Sequence, residues 1–157
     1  MGMNIGILVV SDRVAAGQYE DRSGQVAVEA LQSIADNILL HIVPDESDSI
    51  QKQLIAWADK GMDIIFTVGG TGLSPRDVTP EATRAVIERE APGLTTALLI
   101  NGLASTPRAM LSRAVAGQRG LCLIVNLPGS VSAVREAMTV LKDVLAHAVD
   151  MMHGKGH

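Results

Sequence analysis

Gly69-Gly70-Thr71-Gly72, with Leu73-Ser74-Pro75-Arg76-Asp77-Val78-Thr79-Pro80 directly behind it, holds the residue types in this chain best suited to chemistry. The apolar run Ile64-Ile65-Phe66-Thr67-Val68 ahead of it predicts a buried strand. Glycines at a strand end let the backbone approach a ligand, because no Cβ stands in the way. One loop then supplies a guanidinium, Arg76, and a carboxylate, Asp77. Exposed amides, an arginine and a carboxylate able to hold magnesium suit a phosphorylated substrate. The loop is not a Walker A sequence, since no Gly-Lys-Ser/Thr follows, and it lacks the third glycine of the dinucleotide fingerprint. Taken alone, Gly-Gly-Thr-Gly reads equally well as a tight turn with no ligand.

A second carboxylate, Asp45 in Pro44-Asp45-Glu46, follows another apolar run. Each aspartate has an ordinary explanation: Asp77 complements the dipole of a helix opening at Thr79-Pro80, and Asp45 sits in a loop ahead of a helix. Placed together at one predicted sheet edge, they favour magnesium, which takes one or two protein carboxylates plus water and substrate phosphates. Arg13, Arg76 and Arg113 are candidates to neutralise phosphates through paired N–H groups, against the common alternative of solvated arginines. Ser112 beside Arg113 is a further candidate anion contact. Pro128-Gly129-Ser130, at a predicted helix start, offers either free amides to an anion or a plain N-cap. His41 falls on a strand, His147 on the last helix and the other two histidines in the tail, which gives neither a zinc set nor a Ser-His pair.

The elements that position these residues follow from periodicity. Asn4–Val10, about Ile38–Val43, Ile64–Val68, Arg113–Gln118 and Leu121–Leu127 read as strands. Ser11–Arg22 reads as a loop, and a helix runs on from Ser23 with Val26, Ala27, Ala30, Leu31 and Ile34 along one face. Asp48 with Gln51 marks a second helix start, and Ile50, Leu54, Ile55 and Trp57 form its apolar side until Gly61. Thr79-Pro80 opens a third helix, which Glu90-Ala91-Pro92-Gly93 breaks. Leu94–Leu103 is apolar enough for a buried helix or an interface, and the last helix starts near Ser130. Strand and helix alternate, so right-handed crossovers and a mostly parallel sheet covered on both faces are expected, with ligands beyond the carboxyl ends of the strands.

At 157 residues the chain suits one domain that buries about 68–70% of its unfolded surface. Tyr19, Trp57 and Phe66 are the only aromatics, which favours helices on a parallel sheet over a sandwich. A formal charge of −4 without a basic cluster argues against nucleic acid as a partner. Cys122, the one cysteine, sits in Leu121-Cys122-Leu123-Ile124-Val125 as a small core residue rather than a nucleophile, and one thiol points to a reducing cytoplasm. No signal peptide or membrane span is expected, and Gly6 occupies the position where a myristoylation signal needs Ser or Thr. The tail from His153 is expected to fray.

Several of these segments together resemble a known family. They are Ser11-Asp12-Arg13 with Tyr19-Glu20-Asp21, Val43-Pro44-Asp45-Glu46, Gly69-Gly70-Thr71-Gly72 and Arg76-Asp77-Val78-Thr79-Pro80-Glu81-Ala82-Thr83. Glu88-Arg89-Glu90 with Pro92-Gly93, Leu111-Ser112-Arg113 and Asn126-Leu127-Pro128-Gly129 complete the match. Over about Asn4 to Val149 the chain is similar to the molybdenum-cofactor protein family that contains molybdopterin adenylyltransferase. The resemblance implies a three-layer α/β/α domain, a homotrimer, and attack of the molybdopterin phosphate on the α-phosphorus of Mg-ATP. It puts the family's two essential acidic positions, catalytic and magnesium-binding, on Asp45 and Asp77. With the edge loops, it makes Ser11, Asp12, Arg13, Gly69, Gly70, Thr71, Gly72, Ser74, Arg76, Thr79, Ser112, Arg113, Pro128, Gly129 and Ser130 the substrate-binding set. A molybdenum-insertion protein is the expected downstream partner. Leu94-Thr95-Thr96 replace the Phe-Gly-Glu that some members carry after Pro-Gly, so no role transfers there. A sibling branch of the family binds pterin as a silent scaffold; the intact aspartate motifs favour the active branch.

Overall fold

Met3–Val10 (β1) is buried at every position except Asn4, as a central strand must be when both its faces are covered. The computed structural model describes residues 2–155. After β1 come α1 (Asp12–Ala15), α2 (Ser23–Leu31), β2 (Ala35–Val43), α3 (Ser47–Asp59), β3 (Ile64–Val68) and α4 (Thr79–Val86). Then follow β4 (Arg89–Glu90), α5 (Pro92–Ser105), a 3-10 turn over Pro107–Leu111, β5 (Ala116–Arg119), β6 (Cys122–Leu127) and α6 (Val131–Met152).

The sheet order is β2-β1-β3-β6-β5-β4. The β1–β2, β1–β3 and β3–β6 pairs are parallel, whereas β5 runs antiparallel to both β6 and β4. Val10 pairs with Val43, Val9 with Val68, and Val68 with Leu127, so four strands end in step. Their exit loops therefore share one edge, where the sequence puts the polar loops.

Side-chain alternation along β1 feeds two cores. Ile5, Ile7 and Val9 join Phe66, Val125, Val134, Met138, Leu141 and Leu145 beneath α2 and α6. Leu8 and Val10 join Ile50, Leu54, Trp57, Ile65, Val86 and Ile124 beneath α3 and α4. Helices thus cover both faces, giving the three expected layers.

Several boundaries differ from the sequence expectation for local reasons. Ser11–Arg22 is not all loop: Ser11 Oγ accepts the Val14 N–H at 3.2 Å and nucleates the single turn of α1. β2 begins at Ala35 rather than Ile38, since an edge strand tolerates the polar Asp36-Asn37 pair. α3 begins at Ser47, and Gln51 donates to Ser47 Oγ at 2.9 Å instead of completing a box with Asp48. Arg89–Glu90 forms a short strand, and α5 starts at Pro92. The strand expected over Arg113–Gln118 is shifted to Ala116–Arg119 because the Arg113 N–H is bound to Thr71 O at 2.8 Å. His153, Gly154 and Lys155 hydrogen-bond back onto the end of α6; the rest of the expected fraying tail, 156–157, lies outside the described residues.

Candidate active site

Gly69 and Gly70 take φ of +103° and +71°, a region side-chained residues avoid. Thr79 locks both: its N–H donates to Gly70 O at 3.1 Å and its hydroxyl to Gly69 O at 3.0 Å. The space freed by the missing Cβ atoms is taken up by the protein itself. A Cβ on Gly70 would strike Thr79 Oγ1 and come within 3.1 Å of Asp45 Oδ1; one on Gly72 would lie 2.9 Å from Asp77 Oδ2. The glycines let two carboxylates reach the loop.

Arg113 holds the other half of this loop. Its Nε donates to Gly72 O and its Nη2 to Asp77 O, both at 2.8 Å, while Nη1 pairs with Glu81 at 2.6 Å. That pairing holds the Glu81 carboxyl below its usual range. Arg113 and Thr79 therefore brace the loop, three of the five Arg113 N–H donors being spent on protein. Asp77 closes a turn with Ser74, whose N–H donates to Asp77 Oδ2 at 3.2 Å. Beneath them, buried Asn126 donates to the Thr67 and Thr83 hydroxyls, at 2.9 Å each, and accepts the Val115 N–H. A fully satisfied amide of this kind ties β3, β6 and α4 together below the site.

Asp45 is reached from the β1–α1 side. Asp12 N–H donates to Asp45 Oδ2 and Asp45 N–H donates to Asp12 Oδ1, each at 2.9 Å. Arg76 grips Asp12 through Nε and Nη2, also at 2.9 Å each, rather than standing free for phosphate. These contacts, Arg76's first, hold the Asp12 carboxyl below its ordinary value. Burial, then repulsion from Asp12 and Asp77, raises the Asp45 carboxyl despite the Asp12 N–H.

The other expected residues divide similarly. Arg13 lies 5.4 Å over the Tyr19 ring and donates to its hydroxyl at 3.3 Å. Ser11, Ser112 and Ser130 accept N–H groups from Val14, Ala114 and Ala133 as local caps. Each hydroxyl proton remains available to an anion.

Two clefts flank the glycine ridge. One, of about 710 Å³, has a floor of Val9, Val10 and Val68 and is rimmed by Ser11, Tyr19 and Gly69. The other, of about 780 Å³, contains Gly70, Thr71, Gly72, Asp77, Ser112, Pro128 and Ser130. Gly129 lines both, and a Cβ there would be 3.4 Å from Gly69 Cα. The second cleft is walled by residues absent from the sequence-based set: Thr95, Thr96 and Asn101 on α5, Arg108 on the 3-10 turn, and Ser132 and Glu136 on α6. Thr95, Thr96 and Asn101 show in the sequence as a polar break in the apolar α5, whereas Ser132 and Glu136 read as part of the ordinary polar face of α6.

Asp45 and Asp77 fit a magnesium ion. Both are hard oxygen donors beside one loop, they repel each other, and among the described residues neither is ion-paired. No group of three protein ligands exists among the described residues, and Mg²⁺ does not require one.

Comparison with known proteins matches residues 6–147 to the family described as a probable molybdopterin binding domain. Molybdopterin adenylyltransferase of Helicobacter pylori strain J99 is 40% identical, over 97% of this chain and 89% of its own length. Gephyrin of Dictyostelium discoideum is 39% identical over 96% of this chain, which spans 23% of that longer protein. Among solved structures, the molybdopterin biosynthesis enzyme MoaB of Thermus thermophilus superposes with a TM-score of 0.88 at 45% identity, covering 98% of each chain.

Proposed function

The chain belongs to the molybdopterin-binding domain family, and from that premise we propose that it adenylylates molybdopterin with ATP in molybdenum cofactor biosynthesis. A phosphate oxygen of molybdopterin attacks the α-phosphorus of ATP; the bond from that phosphorus to the bridging oxygen breaks and pyrophosphate leaves. A phosphate monoester with a second pKa of about 6 is already a nucleophilic anion at neutral pH, so no Ser, Cys or His must be activated. The chain's work is to align two anions and offset their repulsion.

The observation that carries this reading is an acidic pair on one glycine loop beside two adjoining clefts: Asp77 lines the second cleft, and Asp45, which lines neither, brings Oδ1 to 3.1 Å from where a Cβ on Gly70 would stand. A reaction that joins two bulky ligands needs two adjoining clefts. Asp45 and Asp77 would hold Mg²⁺, which when bound offsets negative charge on the α-phosphate and the leaving pyrophosphate. The braced loop keeps Gly70, Gly72 and Asp77 in place before substrate arrives, and the capping serines turn their hydroxyl protons towards phosphate.

The working form is a homotrimer that passes its product to a molybdenum-insertion protein. Supporting assembly, α5 buries no residue within the subunit and leaves Leu99, Ile100 and Leu103 exposed. Among the described residues no helix is long and apolar enough to cross a membrane. The buried free thiol of Cys122 suits the cytoplasm. A second reading, pterin binding by a silent scaffold, asks of the chain only what the family description names, the binding of molybdopterin. Mixing the protein with molybdopterin, ATP and Mg²⁺ and analysing the pterin by mass spectrometry tests the proposal. A pterin heavier by one adenylyl group supports it, and pterin bound but unchanged supports the scaffold.

A further inference from the structure

We propose that Asp12 and Arg76 are positioning residues that act through Asp45, forming a brace that aims its carboxylate at the glycine loop. This rests on the reading of Asp45 as a cation-binding group for adenylyl transfer. Three loops, from the ends of β1, β2 and β3, are tied at one side chain: Asp12 accepts two donors of Arg76 and the N–H of Asp45. The Asp12 N–H in return holds Asp45 Oδ2, and Oδ1 is the oxygen near Gly70. Rotation of the Asp45 carboxylate away from Gly70 would break that bond, and the Arg76 fork keeps Asp12 from moving with it. Arg76 thereby serves the acidic pair while spending two donors that would otherwise be free for phosphate.

Stability does not account for the brace. The Arg76 and Asp12 side chains are 59% and 39% exposed, and ion pairs this open add little to stability. A planar fork on an exposed carboxylate instead fixes orientation, which lysine cannot reproduce. Charge alone and the brace also make opposite forecasts. Removing the positive Arg76 leaves more net negative charge beside Asp45 and Asp77, so charge alone would tighten cation binding. Loss of the brace would weaken it.

The test is Mn²⁺ binding to the full chain without nucleotide, followed by water-proton relaxation, in Arg76→Gln, Arg76→Lys, Asp12→Asn and the Arg76→Gln/Asp12→Asn double variant. Each single variant is expected to weaken Mn²⁺ by about 10-fold, the size typical of groups that orient metal ligands. The double variant should be no worse than the singles, since they break one brace. Arg76→Lys should recover little, and melting temperatures should stay near that of the parent. In the transfer assay, excess Mg²⁺ should restore kcat while KM for molybdopterin stays unchanged. Tighter Mn²⁺ binding in Arg76→Gln would overturn the proposal. So would a rise in KM for ATP in Arg76→Gln alone, which would make Arg76 a direct phosphate ligand. Absence of adenylyl transfer by the parent protein would instead remove the functional reading, with the Mn²⁺ measurements still deciding the brace.

Discussion

Asp45 has the least comfortable carboxylate in the site, and its discomfort makes two predictions. Its carboxyl binds a proton more tightly folded than unfolded, because burial and the charges of Asp12 and Asp77 disfavour the anion. Its stabilising contribution is complete below the ordinary value of 3.8 and is lost as pH rises through the raised folded value, so at neutral pH the ionised group is a net cost. Asp45→Asn should therefore melt higher than the parent at pH 7, with the difference closing below pH 3.8, as followed by circular dichroism. The same variant, and Asp77→Asn, should lose about 100-fold or more in adenylyl transfer at saturating Mg²⁺, the scale of a lost electrostatic group in an active site. A stabilised, inactive Asp45→Asn would mark a residue kept for chemistry. An unstable one would make it a structural cap.

Between elements, the loops after β3 and β6 separate a folding role, at Gly70, from a binding role, at Gly129. Gly70→Ala should cost about 1–3 kcal/mol in a urea melt, because φ of +71° is strained for alanine and its Cβ would strike Thr79. Gly129 does not have a positive φ and would place its Cβ in ordinary contact with Gly69, so Gly129→Ala should melt normally. Because Gly129 borders both clefts, the same change should weaken ligand binding in calorimetry. In β6, burial, with a smaller effect from Asp63, pushes the Cys122 thiol up to about 12. It should not react with a thiol reagent at pH 8 until urea unfolds the chain; prompt labelling of native protein would contradict the packing of β6. The strands and loop chemistry were legible from the sequence because apolar runs and the Gly-Asp spacing are local signals. The Arg113 clamp was not, since it joins residues 32 to 41 positions apart. Nor was the Thr95–Glu136 wall, which exists only once α5 packs against α6.

For the whole molecule, α5 poses the main question, since a 14-residue apolar helix with no buried residue calls for a cover. Ile100, 66% exposed, is the informative position, because Leu98 already packs against the subunit's own core. Light scattering should find a trimer at micromolar concentration and a smaller species for Ile100→Glu; a monomeric parent would refute the assembly. α5 also forms one wall of the second cleft, so a calorimetric titration of Ile100→Glu with molybdopterin would show whether the proposed assembly and the proposed substrate site are linked. On the proposed function, the acidic pair and the glycine ridge move an adenylyl group onto a phosphate. Transfer from ATP labelled separately at the α- and γ-phosphates tests it most directly. The α-label should pass to molybdopterin and the γ-label to pyrophosphate, with neither moving when molybdopterin is left out. Release of the γ-label as free phosphate, or bound pterin that never acquires the α-label, would contradict the account.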